Sequence, residues 1–277
     1  MVINATGSPM TLEIARQSRL ARAIAETQIE ISTGKRIQQP SDDPAASVRI
    51  ASIRRSQADQ TVWKSNVDLG SALANQADGV LKTLNDRLAR VQELTVQGGS
   101  SSLPANDRRT IAAEIRSIAQ EVDGLKQTQS SLGEPLFSTS QARTMRFSDG
   151  VVFAPVPSQA DVFQSGGVSL SQQLGTIADA VESGDRPALD SALSTVGTLI
   201  QHAADVASSI GNSGSRLDRL ATTQQSRAVD LAAERSGLED TDLTTAIATL
   251  NAQQLTLEAA QSAFARINKR SLIDLLS

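Results

Sequence analysis

The side chains in this sequence that could do chemistry are few and widely spaced. His202 is the single histidine, and no cysteine occurs among the 277 residues. A Cys–His nucleophile pair is therefore impossible, and a zinc ion at His202 would need three carboxylates to complete its shell. His202 falls between Ile200 and Ala203 in a helical pattern, where a surface histidine is the expectation. Asp42-Asp43 and Asp240/Asp242 could act as paired carboxylates for a metal or for acid–base work. Each pair precedes a helical pattern, where a carboxylate accepts orphan N–H groups and meets the positive end of the helix dipole. Helix capping is therefore the expected role of Asp43, Asp107, Asp185 and Asp242. Arg54-Arg55 and Arg108-Arg109 could hold an anion, but interspersed Asp and Glu make a solvated helix face the expected reading. Trp63 is expected to pack in a core or an interface. No G-x-S-x-G elbow, P-loop or G-x-G-x-x-G occurs. The residues point to no catalytic, cofactor or metal site, and so to a protein that is not an enzyme.

The composition says what kind of body carries these residues. Hydrophobic residues make up 39% and aromatics 2%, with one Trp and no Tyr. Aromatics supply most of the bulk of a compact core, so a spherical fold is disfavoured and a thin seam of Leu, Ile, Val and Ala fits better. The net charge of −4 comes from 26 basic and 30 acidic residues spread along the chain, with no basic stripe for nucleic acid. No stretch approaches the roughly 20 apolar residues of a bilayer span, so membrane insertion is not expected. Met1 to Met10 lacks the basic and apolar regions of a Sec-type signal.

Heptads set the architecture. Met10, Ile14, Gln17, Ala21, Ile24, Gln28 and Ile31 keep a 4-3 spacing that stops at Gly34. Pro40-Ser41-Asp42-Asp43-Pro44 is a rigid turn with a helix start at its end. A second helix spans about 45–97, with a seam at Leu73, Ala77, Val80, Leu84, Leu88, Val91 and Leu94. A third carries Ile111, Ile115, Ile118, Val122 and Leu125. Between Gly133 and Gly167 the character changes, and Phe147-Ser148-Asp149-Gly150-Val151-Val152-Phe153 predicts a hairpin with a type I′ turn. From Asp185, Leu189 to Leu238 keep 4-3 spacing through a long helix that Gly211 and Gly214 are expected to weaken. The last helix has its seam at Leu243, Ile247, Leu250, Gln254, Leu257, Gln261, Phe264, Asn268, Ser271 and Leu275. Gln254, Gln261 and Asn268 recur seven apart, either fixing register in an assembly or meeting solvent. The terminal helices are marginal alone and are expected to be ordered by neighbours.

The fold class that follows is mainly α: a long antiparallel helical bundle or coiled coil, helical at both termini, with a small β-containing insertion. Its expected segments are 1–40 (N-terminal helix), 41–132 (helical core), 133–184 (β-containing insertion and short helix), 185–238 (long core helix) and 239–277 (C-terminal helix). The expected assembly seam is Ile14, Ala21, Ile24 and Ile31 with Leu243, Ile247, Leu250, Gln254, Leu257, Gln261, Phe264 and Asn268.

Ile31-Ser32-Thr33-Gly34-Lys35-Arg36-Ile37, followed by Ser41-Asp42-Asp43-Pro44-Ala45-Ala46, resembles the N-terminal signature of the flagellins and flagellar hook-associated proteins. Arg90 to Gln97, Asn106-Asp107-Arg108 and Leu238-Glu239-Asp240-Thr241-Asp242-Leu243 resemble later blocks of the same family, in the same order. The resemblance covers roughly residues 1–137 and 205–277. It implies a structural subunit of the bacterial flagellum, with no cofactor, whose terminal helices pair in an inner tube. It also implies secretion through the flagellar type III export apparatus with an export chaperone. The implied partners are copies of itself laterally and other axial proteins, hook-associated protein 1 and flagellin among them. Pro44-Ala45-Ala46, the ending Ile267 to Ile273 and Gly133-Glu134-Pro135-Leu136-Phe137 look like the hook–filament junction members. The Arg90 to Leu94 block looks like flagellin. A helical signalling or adaptor rod shares such heptads, but the turn at Pro40–Pro44 and the β insertion break its register.

Overall fold

The computed structural model describes the backbone of residues 7–274 and the side chains of residues 11–266. Its long elements are α1 (Gly7–Thr33), α2 (Pro44–Gly98), α3 (Ala105–Leu125), α5 (Leu170–Ser183), α6 (Arg186–Glu239) and α7 (Leu243–Asp274). Between α3 and α5 lie β1 (Met145–Ser148), β2 (Val151–Phe153), the short α4 (Gln159–Phe163), β3 (Gln164–Ser165) and β4 (Val168–Ser169). The protein is mainly α, as its heptads require. It forms two compact units, one built from the chain up to Gln57 and from Val229 onward, the other from Ala58–Ala228. Both boundaries fall within α2 and α6, away from the turns at which the sequence pattern divides.

In the Ala58–Ala228 unit, α2, α3, α5 and α6 pack around one apolar core. From α2 come Ala77, Leu81, Leu84, Leu88, Val91 and Leu94, and from α3 Ile111, Ile115, Ile118 and Val122. From α6 come Leu189, Val196, Ala203, Ile210 and Leu217, each seven residues from the last, so a single helix edge stays buried over four repeats. The ladder passes through Gly211 and Gly214 without a break. Helix α3 runs antiparallel to α2, and its exposed rim is joined to it by Arg87–Glu121 at 2.8 Å and Arg90–Glu114 at 2.9 Å.

The β insertion supplies what the helices lack, which is bulk. Phe137, Phe147 and Phe163 are among the largest fully buried side chains. Phe137 and Phe163 meet edge to face at 5.4 Å, and Phe147 lies 4.4 Å from Phe153, with Arg216 over the outer face of Phe153. The β1–β2 hairpin differs from its predicted form. Among the described residues none other than glycine has positive φ, so Asp149 does not take the left-handed conformation that a type I′ turn needs at both central positions. The register slips between Arg146 and Ser148 instead, so the tight turn is accommodated by a bulge at Phe147. The type I′ requirement is met in the second hairpin, where Gly166 and Gly167 have φ of 61° and 78° between Ser165 and Val168.

The bulge is useful because it drives Phe147 toward α2 and α6. Asn66 Nδ2 donates to the Arg146 carbonyl at 2.7 Å, and Gln224 Nε2 donates to the Phe147 carbonyl. Gly70 leaves the space for the ring: a Cβ there would lie 2.9 Å from Phe147 Cε1 and 3.3 Å from Leu217 Cδ2. Gly79, on the same helix, faces open space. Gly70→Ala should lower stability by about 1–3 kcal/mol through overpacking, whereas Gly79→Ala should raise it by roughly 1 kcal/mol through helix propensity. Thermal denaturation of the two variants checks the pair of opposite signs.

Candidate functional site

The residues most able to act together lie in the other unit, where the ends of α1, α2, α6 and α7 meet. Helix α1 stops because Gly34, at φ 70°, turns the chain left-handed after its N–H has closed on the Glu30 carbonyl at 2.8 Å. The connection to α2 is then shaped by the paired aspartates. Asp42 Oδ2 accepts from the backbone N–H groups of Gln39 at 2.8 Å and Gln38 at 3.0 Å, which hold its carboxyl below the ordinary range. Asp43 Oδ1 accepts from Ala46 N at 3.0 Å, in the first turn of α2 after Pro44. At the start of α7, Asp242 Oδ1 accepts from Thr244 N at 2.9 Å and Thr245 N at 3.3 Å. Oδ2 accepts from the Thr245 hydroxyl, whose bond leads in holding that carboxyl low. Asp185 accepts from Ala188 N at 3.2 Å at the start of α6.

The α1–α2 and α6–α7 turns are sewn together by a buried carboxylate. Glu239, at the end of α6, has a side chain only 6% exposed. Its Oε1 accepts from Lys35 Nζ at 2.7 Å and Arg54 Nη2 at 2.9 Å, and its Oε2 lies 3.7 Å from Arg235 Nε. The Lys35 hydrogen bond, followed by the charges of Lys35, Arg54 and Arg235, keeps the carboxyl below its ordinary value against the opposing effect of burial. The backbones join as well: Arg36 N donates to the Glu239 carbonyl at 2.8 Å, and Thr241 N donates to the Gly34 carbonyl at 2.9 Å. Beneath them Ile37, Ala46 and Ile50 close on Leu238. The block around Gly34 and the block around Leu238, some 200 residues apart in sequence, are thus one local structure, since Lys35 and Glu239 are separated by 204 positions.

From this joint α1 and α7 run as an antiparallel pair. Their shared seam is Gln17, Leu20, Ile24, Thr27 and Ile31 against Ala246, Leu250, Gln253, Leu257, Ala260 and Phe264, again in 4-3 spacing. Thr27 Oγ1 donates to Gln253 Oε1 at 3.3 Å inside it. The seam is rotated relative to the predicted one. Ile24, Ile31, Leu250, Leu257 and Phe264 belong to both, but Ile14, Ala21, Leu243, Ile247, Gln254 and Gln261 are exposed. The physical reason is composition: with Ala and Gln on both flanks of each stripe, periodicity gives the spacing but does not rank the flanks. The Lys35–Asp240 backbone bridge selects the flank carrying Thr27 and Ala246. The side chain of Asn268, with Ser271 and Leu275, lies outside the described residues.

Other singled-out residues take structural places. Asp107 is not the cap of α3: that position is Pro104, without a side-chain cap bond, and Asp107 sits in the first turn. The proline starts the helix one turn earlier than Asn106-Asp107 suggests. His202 is half-buried, with Nε2 covered and facing no hydrogen-bond partner. Trp63 is half-buried on α2. Arg54 stays on a solvated face, with its side chain 58% exposed, while its Nη2 reaches Glu239. Glu239 itself was legible only as part of a block, because no local pattern says that a helix-terminal glutamate will be buried. Among the described residues no three His, Cys, Asp or Glu side chains converge as metal ligands, and no helix is long and apolar enough to cross a membrane.

Paired terminal helices, exposed apolar positions beside their own seam and a tight joint at their base define a helical subunit built for assembly. Two family models match, the bacterial flagellin N-terminal helical region over residues 10–142 and the C-terminal helical region over residues 193–276, and the chain belongs to the bacterial flagellin family. It is a structural subunit of the flagellar axial structure. It is similar to flagellar hook-associated protein 3 of Escherichia coli, at 21% identity over 89% of this chain and 90% of that protein. It is similar to a flagellin of Listeria innocua, at 22% identity over 89% of this chain and 88% of the relative. Its fold resembles the solved structure of a flagellar hook-associated protein from Vibrio parahaemolyticus, with TM-score 0.65, 16% identity and coverage of 72% of this chain and 100% of that one.

Asp43→Ala removes the one side-chain acceptor at the start of α2 and should cost about 1 kcal/mol, most of it regained in Asp43→Asn. Chemical denaturation of the three proteins checks it, and equal midpoints for Asp43→Ala and the unaltered protein would mean that the cap contributes nothing.

Proposed function

We propose that this chain is the hook–filament junction subunit, the role of hook-associated protein 3. The observation that carries the reading is the Ala58–Ala228 unit. There two small hairpins and four phenylalanines close a helical core within a fold that the Vibrio parahaemolyticus hook-associated protein shares over its whole length. Pro44-Ala45-Ala46 after the paired aspartates supports it from the sequence side. A second reading, a flagellin of the filament, is favoured by the Arg90 to Leu94 block and by the Listeria innocua relative.

In the proposed role the exposed stripe of the terminal pair is the contact surface. Leu12, Ile14 and Ile29 on α1 and Leu243, Ile247 and Leu255 on α7 are exposed apolar residues. Together with Ala21, Gln254 and Gln261 they would be covered by copies of the chain laterally and by hook-associated protein 1 and flagellin axially. The polar members at Gln254 and Gln261 penalise mismatched pairing, one way of choosing unlike neighbours. Secretion through the flagellar type III apparatus, with a chaperone on a terminal region, completes the reading. A junction subunit meets unlike proteins at its two axial faces, so its own contacts must not propagate into an open fibre. Purified protein incubated with short filament seeds, or with precipitant, should therefore form no long tubes by electron microscopy. Long tubes of this protein alone would establish the filament reading instead.

A further inference from the structure

Three Asp-Gly pairs occur in the chain, Asp78-Gly79, Asp123-Gly124 and Asp149-Gly150. Such a pair can close on itself, because glycine has no Cβ to shield its backbone nitrogen from the carboxyl carbon just before it. All three aspartates are exposed, and a Cβ at any of the three glycines would meet open space, so neither exposure nor room separates them. The backbone does. Asp78 lies inside α2 and Asp123 inside α3, where the next N–H is bound to a carbonyl four residues back. Helical ψ also holds that nitrogen away from the carboxyl carbon, and the swing that would bring them together breaks the local helix. Asp123 is further tied by Lys126 Nζ and by the Ser171 hydroxyl at 3.2 Å, and the lysine leads in holding its carboxyl below the ordinary range. Asp149 and Gly150 stand outside both strands, at the centre of the turn that the Ser148–Val151 pair closes. Among the described residues the Asp149 carboxyl and the Gly150 N–H have no hydrogen-bond partner, so the same swing there breaks no bond.

We infer that Asp149-Gly150 is the Asp-Gly pair at which the folded protein isomerises spontaneously, through a cyclic succinimide, to an isoaspartyl linkage. The Gly150 nitrogen attacks Cγ of the Asp149 carboxylic acid. A C–N bond forms, the carboxyl C–O bond breaks, and the hydroxyl leaves with the N–H proton as water. Water then opens the ring at either carbonyl. Cleavage of the nitrogen from Cγ restores aspartate. Cleavage from the main-chain carbonyl leaves the chain running through Cβ and Cγ, with a free carboxylate on Cα. Nothing is oxidised, the mass is unchanged, and the turn is longer by a single backbone carbon. The change falls where the hairpin docks on α2 and α6. Two residues before it the Phe147 carbonyl accepts from Gln224 Nε2 and the Phe147 ring fills the space at Gly70, with the Arg146 carbonyl tied to Asn66.

The full chain, purified and aged for weeks at neutral pH, tests the assignment. Isoaspartyl methyltransferase with labelled S-adenosylmethionine reports the linkage, and the three pairs fall in separate tryptic peptides. In guanidinium all three peptides should take up label. In the folded chain the Asp149 peptide should carry at least about tenfold more label than the other two, because helix interiors open rarely. Asp149→Glu should remove the label at this position, since the larger ring of glutamate closes far more slowly. Asp149→Asn should react faster than the unaltered protein, losing ammonia in place of water, with the mass gain of an amide turned to an acid. A folded chain unlabelled at Asp149 under conditions that label the chain in guanidinium overturns the inference. So does label at Asp78 or Asp123 equal to that at Asp149, or an Asp149→Asn protein that keeps its mass.

Discussion

The turns at the base of the terminal helices meet at one ion cluster, the carboxylate of Glu239 with Lys35, Arg54 and Arg235. Surface ion pairs contribute little, because water screens them and long side chains lose freedom to make them. Glu239 differs because it is buried while its cations remain half in solvent, so the acid is desolvated and the bases are not. Its charge is then matched at short range, and leaving it unmatched would carry the penalty of an isolated buried ion. Removing any one element from the joint removes part of that match. Residues near Gly34 and near Leu238 are therefore bound to one another through chemistry.

The two compact units solve the shortage of aromatic bulk differently. The unit around Glu239 relies on small seams, capped turns and the ion cluster, with Ile37, Ala46 and Ile50 against Leu238 as its modest apolar patch. The Ala58–Ala228 unit concentrates aromatic bulk in one place. Phe137, Phe147 and Phe163 come from the insertion between α3 and α5 and enter the core, Phe147 in the space left by the absence of a side chain at Gly70. A family subunit can thus keep ordinary heptads on its helices and still hold a firm centre. The terminal helices, which lack such an anchor, leave apolar positions on their surface for other chains.

The helices, their order and the turn chemistry were legible in the sequence because each depends on neighbours within a few positions. Asp43 before Pro44, Asp185 before Arg186-Pro187 and Asp242 before Leu243 are local signals, and each side chain binds the backbone just after it. Asp107 resembles a cap in the sequence but is not one, because a Pro one turn earlier starts the helix without a side-chain cap. The hairpin at Asp149-Gly150 was visible, but its turn type was not, since the bulge at Phe147 answers to Gly70 and Gln224 far away in sequence. The face by which α1 meets α7 was hidden for the same kind of reason.

By itself, then, the sequence determined the spacing of the seams, the capped starts of α2, α6 and α7 and membership in an assembly-forming helical family, because these rest on periodicities of a few residues and on blocks read in order. Only the tertiary structure decided which flank of each terminal helix faces its partner, which glycine makes room for a ring and which acid is buried. Those choices are made by groups as distant as Lys35 and Glu239, whose energy of interaction depends on distance and solvent access in space, quantities that spacing along the chain does not contain.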